Sequence, residues 1–434
     1  MVGTRPEAIK LVPVILALRS SASYRPVVVA TGQHHRMVAE VFALAGIEID
    51  VELWVGSRHA ELNERVAAVM GRFDDFIRDE FPSRSGDFAT PDEIAAGFPS
   101  AVLVHGDTSS AMGAALAACQ LHIPVMHVEA GLRTGGSILT PFPEELNRQI
   151  ISCVASLHFA PTETNKQNLV RESIPANQVF VTGNTGIDAL HWATGVHVEF
   201  DDPALQAADA SDARIVTVTA HRRENWVTGL TGIAEGVARL AAAYTDVRFV
   251  LPLHPNPAVR TRLTERLADV ENVLLVEPLP YAQFARLLER SHLVITDSGG
   301  IQEEAPALGK PVLVTRETTE RGEGIASGTL RLVGTDPERI FREGNLLLKD
   351  DAAYARMANA TNPCGDGRAA ERIVAALEYI GDARPAPAPF GPGFDRVAVM
   401  VNSGYSSHLD PAGRAVRPMA GGETVRAEAV LAPR

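Results

Sequence analysis

From about residue 96 to 380, short apolar runs rich in β-branched residues alternate with longer stretches whose apolar positions recur at helical spacing. That alternation predicts parallel strands joined by crossover helices, an α/β chain. Strands are expected at 27–30, 101–104, 125–128, 180–181, 215–219, 249–251, 273–276, 293–296 and 312–314, with a last amphipathic helix at 368–380. Polar chemistry begins where several of these runs end: His105-Gly-Asp-Thr108, Glu129-Ala-Gly-Leu-Arg133, His221-Arg-Arg-Glu-Asn225 and Asp297-Ser-Gly-Gly300. Open parallel sheets bind ligands beyond the carboxyl ends of their strands, so these four turns are expected to face one crevice.

The most telling stretch is Ile295-Thr-Asp-Ser-Gly-Gly-Ile-Gln-Glu-Glu-Ala305, an apolar strand that stops at paired glycines and passes at once into a helix. Gly299 and Gly300 let the backbone approach a ligand closely, and the amides opening the helix point at an anion. Glu304, in the first turns, is placed to accept hydrogen bonds from both hydroxyls of a ribose. The pattern is neither a Walker loop nor the dinucleotide fingerprint, and a ligand-free turn is the plain alternative.

With 434 residues the chain is long enough for two ordinary domains, hinged near 183–212, where polar stretches such as Asp201-Asp-Pro203 break the pattern. The proline spacing of 383–393 forbids helix and predicts an extended linker, 381–434 reads as a largely disordered tail, and 82–99 as a surface loop insertion. The formal charge of −13 argues against a general nucleic-acid or membrane-surface binder. An anionic ligand must then be met by local cations: Arg5 and Lys10, His221-Arg222-Arg223, and Arg316 with Arg321. No apolar run is long enough to span a bilayer and no charged-then-apolar leader opens the chain, so a cytoplasmic location is the default. Cys119, Cys153 and Cys364 are widely spaced and read as structural, and the histidines lack metal-ligand spacing, so no metal site is expected.

Asp107 and Glu129 end consecutive strands, and two carboxylates in one crevice tend to split their pKa values, leaving one acid and one base. A helix N-cap is the plain alternative for Asp107, ahead of Thr108-Ser109-Ser110. Glu144 and Glu145 open a helix after Pro141-Phe-Pro143, and for one of them service to the helix dipole suffices. His221 is suited to a phosphate oxygen or a proton transfer, with a structural histidine as its alternative.

Gly3-Thr-Arg-Pro-Glu-Ala-Ile-Lys10, Gly32-Gln-His34, His105-Gly-Asp-Thr108, His127-Val-Glu-Ala-Gly-Leu-Arg133, Pro143-Glu-Glu145, Pro161-Thr-Glu163, Thr182-Gly-Asn-Thr185, His221-Arg-Arg-Glu224, the 296–305 segment, Gly309-Lys-Pro311 and Thr318-Thr-Glu-Arg321 occur in one order over residues 1 to 380. Together they resemble the non-hydrolysing UDP-N-acetylglucosamine 2-epimerases. The resemblance implies two facing Rossmann-like domains of the glycosyltransferase-B type with an interdomain active-site cleft: 1–182, a UDP-binding domain at 183–366, and a helix at 367–380 that returns to the first. It implies a homodimer and no cofactor. The implied reaction expels UDP from sugar carbon 1 to give 2-acetamidoglucal, then returns a proton and UDP to yield UDP-N-acetylmannosamine, which requires proton carriers on both faces of the sugar. By that likeness Asp107, Glu129 and Glu144 are the acid/base groups, with His221 and Lys10 supporting. Arg5, His221, Ser298, Gly299, Gly300 and Arg321 hold the diphosphate, Glu304 takes the ribose and Phe284 lies near the uracil.

The chain departs from that family in two places. Relatives carry several apolar residues before the Gly-Thr-Arg-Pro-Glu turn, where only Met1 and Val2 stand here, which leads us to expect a start codon upstream. The segment linked in bacterial members to a second, activating substrate molecule reads Gln33-His-His-Arg36, with a cation in place of a hydrogen-bond acceptor. A UDP-2,3-diacetamido sugar epimerase, a UDP-sugar glycosyltransferase and a silent nucleotide-sugar sensor are the rival readings.

Overall fold

The computed structural model describes residues 1–55, 61–82, 93–94, 97–134, 137–226, 229–319, 321–381, 384–391, 416–418 and 424–426. The chain divides into two compact units, one of Met1–Ala8, Val14–Gly183 and Ala370–Arg434 and one of Ile9–Pro13 and Asn184–Ala369.

The first unit runs α1 (Arg5–Ser20), β1 (Val29–Ala30), α2 (His35–Leu44), β2 (Val51–Glu52), α3 (Leu62–Glu80), β3 (Val102–His105), α4 (Ser109–Gln120), β4 (Val125–Val128), α5 (Glu144–Val154), β5 (Leu157–Ala160), α6 (Glu163–Arg171) and β6 (Val179–Val181). Strands β3-β4-β5-β6 form a parallel sheet in sequence order, and β1 and β2 form a separate parallel pair. The first residues of the chain touch both. Val2 bridges Ala30, its N–H donating to Val29 O at 2.9 Å and its carbonyl accepting from Thr31, while the Met1 amino group donates to Leu103 O at 3.0 Å. Burial holds that amino group at about 6, below its ordinary value.

Glu7 ties this entry turn down. Its Oε2 accepts from Gly3 N at 3.0 Å and Thr4 N at 2.6 Å, and its Oε1 from Thr108 Oγ1 at 2.7 Å. The turn before α1 and the turn after β3 are thereby joined through one buried carboxylate.

In the second unit the elements are α7 (Thr185–Thr194), α8 (Pro203–Asp209), β7 (Ile215–Thr219), α9 (Gly229–Ala243), β8 (Arg248–Pro252), α10 (Pro257–Leu267), β9 (Val273–Val276), α11 (Tyr281–Arg290), β10 (Ser291–Thr296), α12 (Gly299–Ala307), β11 (Val312–Val314), α13 (Gly322–Ser327), β12 (Leu330–Leu332), α14 (Pro337–Lys349) and α15 (Asp351–Ala358). Its six strands are all parallel in the order β12-β11-β10-β7-β8-β9. Chain order reverses between β7 and β10, and that reversal is where such sheets open a ligand crevice. Burial of Val216, Val218, Leu293, Ile295 and Leu313 under α9 and α14 supplies the driving force, since strands covered on both faces lose nearly all of their apolar surface to the core.

A last helix, α16 (Ala369–Gly381), belongs from Ala370 onward to the first unit, where Tyr24 Oη donates to Leu377 O at 2.8 Å and Arg372 Nη1 to Thr182 O at 3.1 Å. The proline-rich segment after it is anchored at one point, Phe390 N–H donating to Val181 O at 2.9 Å. Within the expected disordered tail, Val416–Pro418 and Thr424–Arg426 pair as antiparallel strands; 392–415, 419–423 and 427–434 lie outside the described residues, as do 83–92 and 95–96 of the expected insertion. Among the described residues no helix is long and apolar enough to cross a membrane.

Outside the tail, the hydrophobic pattern leaves β2, β5 and β12 unannounced among the described residues. Each is short and carries a polar residue, Glu52, His158 or Arg331, that interrupts the apolar run.

Gly131, after β4, has φ +86°, and a Cβ there would lie 2.2 Å from Asn165 O in the backbone of α6. A Gly131→Ala substitution is expected to cost about 2 kcal/mol or more, because the left-handed conformation and the fixed carbonyl both oppose it. A shifted denaturant midpoint with unchanged slope measures this.

Candidate active site

In the first unit the candidate acids gather at the carboxyl ends of two hydrogen-bonded strands. Asp107 follows β3 but does not cap the next helix; that role falls to Thr108, whose side chain accepts from Ala111 N at 3.0 Å. The Asp107 carboxylate, 28% exposed, is instead paired with Arg148, whose Nη1 donates to Oδ2 at 2.5 Å. Asn147 Nδ2 donates to the Asp107 carbonyl at 2.8 Å. Glu129 follows β4 in the left-handed region, at φ +64°, a conformation that costs a residue with a Cβ about 1 kcal/mol. Its Oε2 lies 3.5 Å from His105 Nε2 and 3.6 Å from where a Cβ would stand on Gly106.

Glu144 and Glu145 open α5 and part company. Glu144 is half-buried and shares a helix face with Arg148, four residues on. Glu145 is buried, with Arg148 Nη2 at 2.8 Å, Gln149 Nε2 at 3.1 Å and Thr134 Oγ1 at 3.1 Å donating to it. Burial works to raise its pKa, but the hydrogen bonds from Arg148, Gln149 and Thr134 and the Arg148 charge hold it below the ordinary value. Glu145 is therefore a permanent anion that fixes Arg148, and Arg148 fixes Asp107.

Beneath these turns β4 and β5 carry His127 and His158 as register partners, both fully buried. Burial chiefly, with Arg133 adding to it, lowers His127 to about 3 and His158 to about 4. Both are neutral imidazoles near pH 7.

The second unit builds its site at the β7/β10 reversal. His221 and Arg222 follow β7; Asp297, Ser298, Gly299 and Gly300 follow β10. A Cβ on Gly299 would lie 3.1 Å from Arg321 Cζ and 3.2 Å from Arg222 Nη2, so two guanidinium groups press against this backbone and would have to shift for a larger residue. Arg321 is held from behind by Glu303, whose Oε1 accepts from Nε at 2.8 Å while its Oε2 accepts from Asn184 Nδ2 at 2.7 Å. The opening amides of α12 and two arginines make a site for a dianion.

Further along α12, burial pushes Glu304 up to about 7, against the lowering charge of Lys10 and with the raising charge of Glu303. Lys10 Cε lies 3.4 Å from where a Cβ would stand on Gly186 at the start of α7. Tyr281 opens α11, its hydroxyl buried with no hydrogen-bond partner among the described residues, and Phe284 one turn on is partly buried against the core. Arg5, by contrast, is exposed in the first turn of α1. Of the Gln33-His-His-Arg36 segment, Gln33 accepts from Ser110 Oγ at 2.7 Å and Arg36 pairs with Glu40 on the surface. Among the described residues no group of three or more histidine, cysteine, aspartate or glutamate side chains is arranged to hold a metal ion.

A sequence model described as UDP-N-acetylglucosamine 2-epimerase matches residues 89–378. UDP-N-acetylglucosamine 2-epimerase of Salmonella typhimurium is 43% identical over 381 residues, 87% of this chain and 96% of the relative. The chain belongs to the UDP-N-acetylglucosamine 2-epimerase family. The Escherichia coli K12 enzyme of that family is 42% identical over the same share of this chain. Among solved structures, the Neisseria meningitidis UDP-GlcNAc 2-epimerase bound to UDP-GlcNAc superposes with a TM-score of 0.73 at 41% identity, covering 87% of this chain and 98% of that one. Anabaena HepE, in complex with UDP and glucose, superposes with a TM-score of 0.55 at 14% identity over 88% of this chain and 98% of its own, a likeness of fold alone. The architecture of this epimerase-family chain is accordingly α/β with two parallel sheets, of the glycosyltransferase-B-like kind.

The sequence alone singled out Arg222 as a candidate cation but gave no role to Arg148, His105 and Glu303, which lie against the candidate acids and Arg321. Each is a common surface residue type whose partner lies far away in sequence, so no local signal marks it.

The buried histidine pair generates a stability prediction. A histidine whose folded pKa is depressed costs nothing above its unfolded value of about 6.5; below that the unfolded chain binds protons that the folded chain refuses, and stability drains away until the folded pKa is reached. For His158, fully buried and with a folded value of about 4, the loss between pH 6.5 and 4 amounts to about 3 kcal/mol. A His158→Leu variant is expected to lose less stability than the parent over that interval, read as the difference in urea midpoint at the two ends of the range.

Proposed function

We propose that the protein interconverts UDP-N-acetylglucosamine and UDP-N-acetylmannosamine by inverting sugar carbon 2, as an isomerase. The observation that carries this reading is the pair of carboxylates, Asp107 and Glu129, at the ends of the adjacent strands β3 and β4, in a chain 43% identical to an epimerase over 96% of that enzyme's length. The hydrogen on carbon 2 is too weakly acidic for direct removal. Breaking the bond between carbon 1 and the UDP oxygen, with that electron pair leaving on UDP, lets a base take the proton as the carbon 1–carbon 2 double bond forms. The product of this step is 2-acetamidoglucal, with UDP retained. Protonation of carbon 2 from the opposite face and return of UDP to carbon 1 completes the inversion, and no electrons are gained or lost overall.

In this reading Asp107, Glu129 and Glu144 carry the protons. Arg148 pairs with Asp107 and holds it in place, which suits a base; Glu129, against His105 and in a strained backbone, suits a partner on the other face. Ser298, Gly299 and Gly300, with His221 and Arg321, take the diphosphate and offset the charge that grows on it as the bond breaks, and Arg5 and Lys10 add positive charge. Glu304 accepts from the ribose hydroxyls and Phe284 borders the uracil. A cytoplasmic location and a homodimer belong to the same reading, the latter accessible to sedimentation.

Incubation with UDP-N-acetylglucosamine in deuterated water tests it directly: deuterium at carbon 2 together with UDP-N-acetylmannosamine is the expected result. Free UDP released only when an acceptor sugar is added points to a transferase and overturns the proposal. Glu129→Gln and Asp107→Asn are each expected to lower kcat by about 100-fold or more while UDP still binds.

Glu304 supplies a pH dependence. The ionised carboxylate is the form that accepts from two hydroxyls, and in the free protein it titrates at about 7. UDP affinity is therefore expected to weaken as pH falls below 7, approaching about tenfold per unit. Glu304→Gln, measured by calorimetry against the parent, removes that component.

A further inference from the structure

Asp297 is completely buried at the carboxyl end of β10, at 0% exposure, yet the proposed reaction gives it no task. A carboxylate in that position is tolerable only if every oxygen is satisfied. Its Oδ1 and Oδ2 accept from His221 N at 3.1 and 3.0 Å, and Oδ2 also accepts from Arg222 N at 2.9 Å and Asn225 Nδ2 at 3.0 Å. The remaining neighbour is His221 Nδ1, 3.2 Å from Oδ1. Burial works to raise the Asp297 pKa, but the His221 hydrogen bond and charge and the Arg222 and Asn225 bonds more than offset it, so the group is lowered and ionised.

An ionised carboxylate only accepts hydrogen bonds. The nitrogen facing it must then carry the proton, which leaves Nε2 as the nitrogen turned to solvent on a ring that is 37% exposed. The other groups about the ring do not disturb this. His254, from the loop after β8, stacks on it at 5.8 Å and 15°, accepts at its own Nδ1 from Asn256 N at 3.2 Å, and is lowered by burial and by the His221 charge, hence neutral. Arg222, the next residue, is directed by the same carboxylate through its amide, with its guanidinium against Gly299 beside that of Arg321.

We propose that Asp297 is a positioning residue: it fixes His221 as the Nδ1-protonated tautomer, so that Nε2 is the nitrogen presented to the departing diphosphate. The assignment of the tautomer stands on the geometry alone, and the role toward the diphosphate rests on the function proposed above. With Nδ1–H held by a charge, the imidazolium is stabilised when a phosphate oxygen arrives, and Nε2–H donates to that oxygen.

The test uses the full chain with 15N-ring-labelled histidine, the His221 signals being identified by their loss in His221→Gln. At pH 8 the parent is expected to show a protonated Nδ1 and an unprotonated Nε2, and addition of UDP moves Nε2 toward the protonated shift. In Asp297→Asn the amide oxygen still accepts from the two backbone amides, but its NH2 faces Nδ1. The tautomer is then expected to reverse, and kcat to fall about 100-fold with KM changed less than about threefold. A parent spectrum with the proton on Nε2, or an Asp297→Asn protein with unchanged tautomer and kcat, overturns the proposal. If that variant does not fold, the parent spectrum with and without UDP decides. If the parent turns over no UDP-N-acetylglucosamine, the proposed function fails while the tautomer and its response to UDP still judge this inference; an active enzyme with the opposite tautomer refutes this inference alone.

Discussion

A buried carboxylate must be fully hydrogen-bonded or it destabilises the fold, and that constraint organises both units. In the first unit Glu145 has no exposure to speak of and is satisfied by Arg148, Gln149 and Thr134; the arginine so immobilised reaches on to Asp107. In the second, Asp297 is satisfied by the amides of His221 and Arg222 and by Asn225. Each candidate site therefore has a permanent buried anion behind it. Asp107, through Arg148, and His221 are thereby oriented by buried charges that salt screens much less than surface charges.

Parallel sheet geometry decides where those anions stand. In the second unit chain order reverses between β7 and β10, so the helices following these two strands lie apart and leave both strand ends open. His221 and Asp297 meet because they follow neighbouring strands, although 76 positions separate them in the chain. The first unit repeats the logic with less backbone. Met1 and Val2 stand between β1 and β3, and Glu7 fastens the turn after them to Thr108. The chain thus enters α1 beside the turn that carries Asp107.

Backbone strain and close approach are both found at these strand ends. Glu129 holds a left-handed backbone, and Gly299 lies under two guanidinium groups. The left-handed backbone of Glu129 costs stability, and the two guanidinium groups crowd any side chain at position 299. Glu304 is raised to about 7 chiefly by burial, with the Glu303 charge adding and the Lys10 charge opposing.

The sequence by itself determined the class of fold, most of the strands and the turns in which the chemistry lies, because a parallel strand buried on both faces must be a continuous apolar run and its polar residues can begin only where it ends. It also determined, through ordered motifs over most of its length, the family. It left β2, β5 and β12 hidden, since Glu52, His158 and Arg331 break the apolar run in strands only two to four residues long. Tertiary structure alone decided the strand order, the capping of α4 by Thr108 in place of Asp107, the separation of Glu144 from the buried Glu145, and the pairing of Asp107 with Arg148. The physical reason is common to all four: hydrophobic periodicity is a property of neighbours along the chain, whereas a hydrogen bond between residues 41 positions apart depends on which strands and helices become neighbours in space.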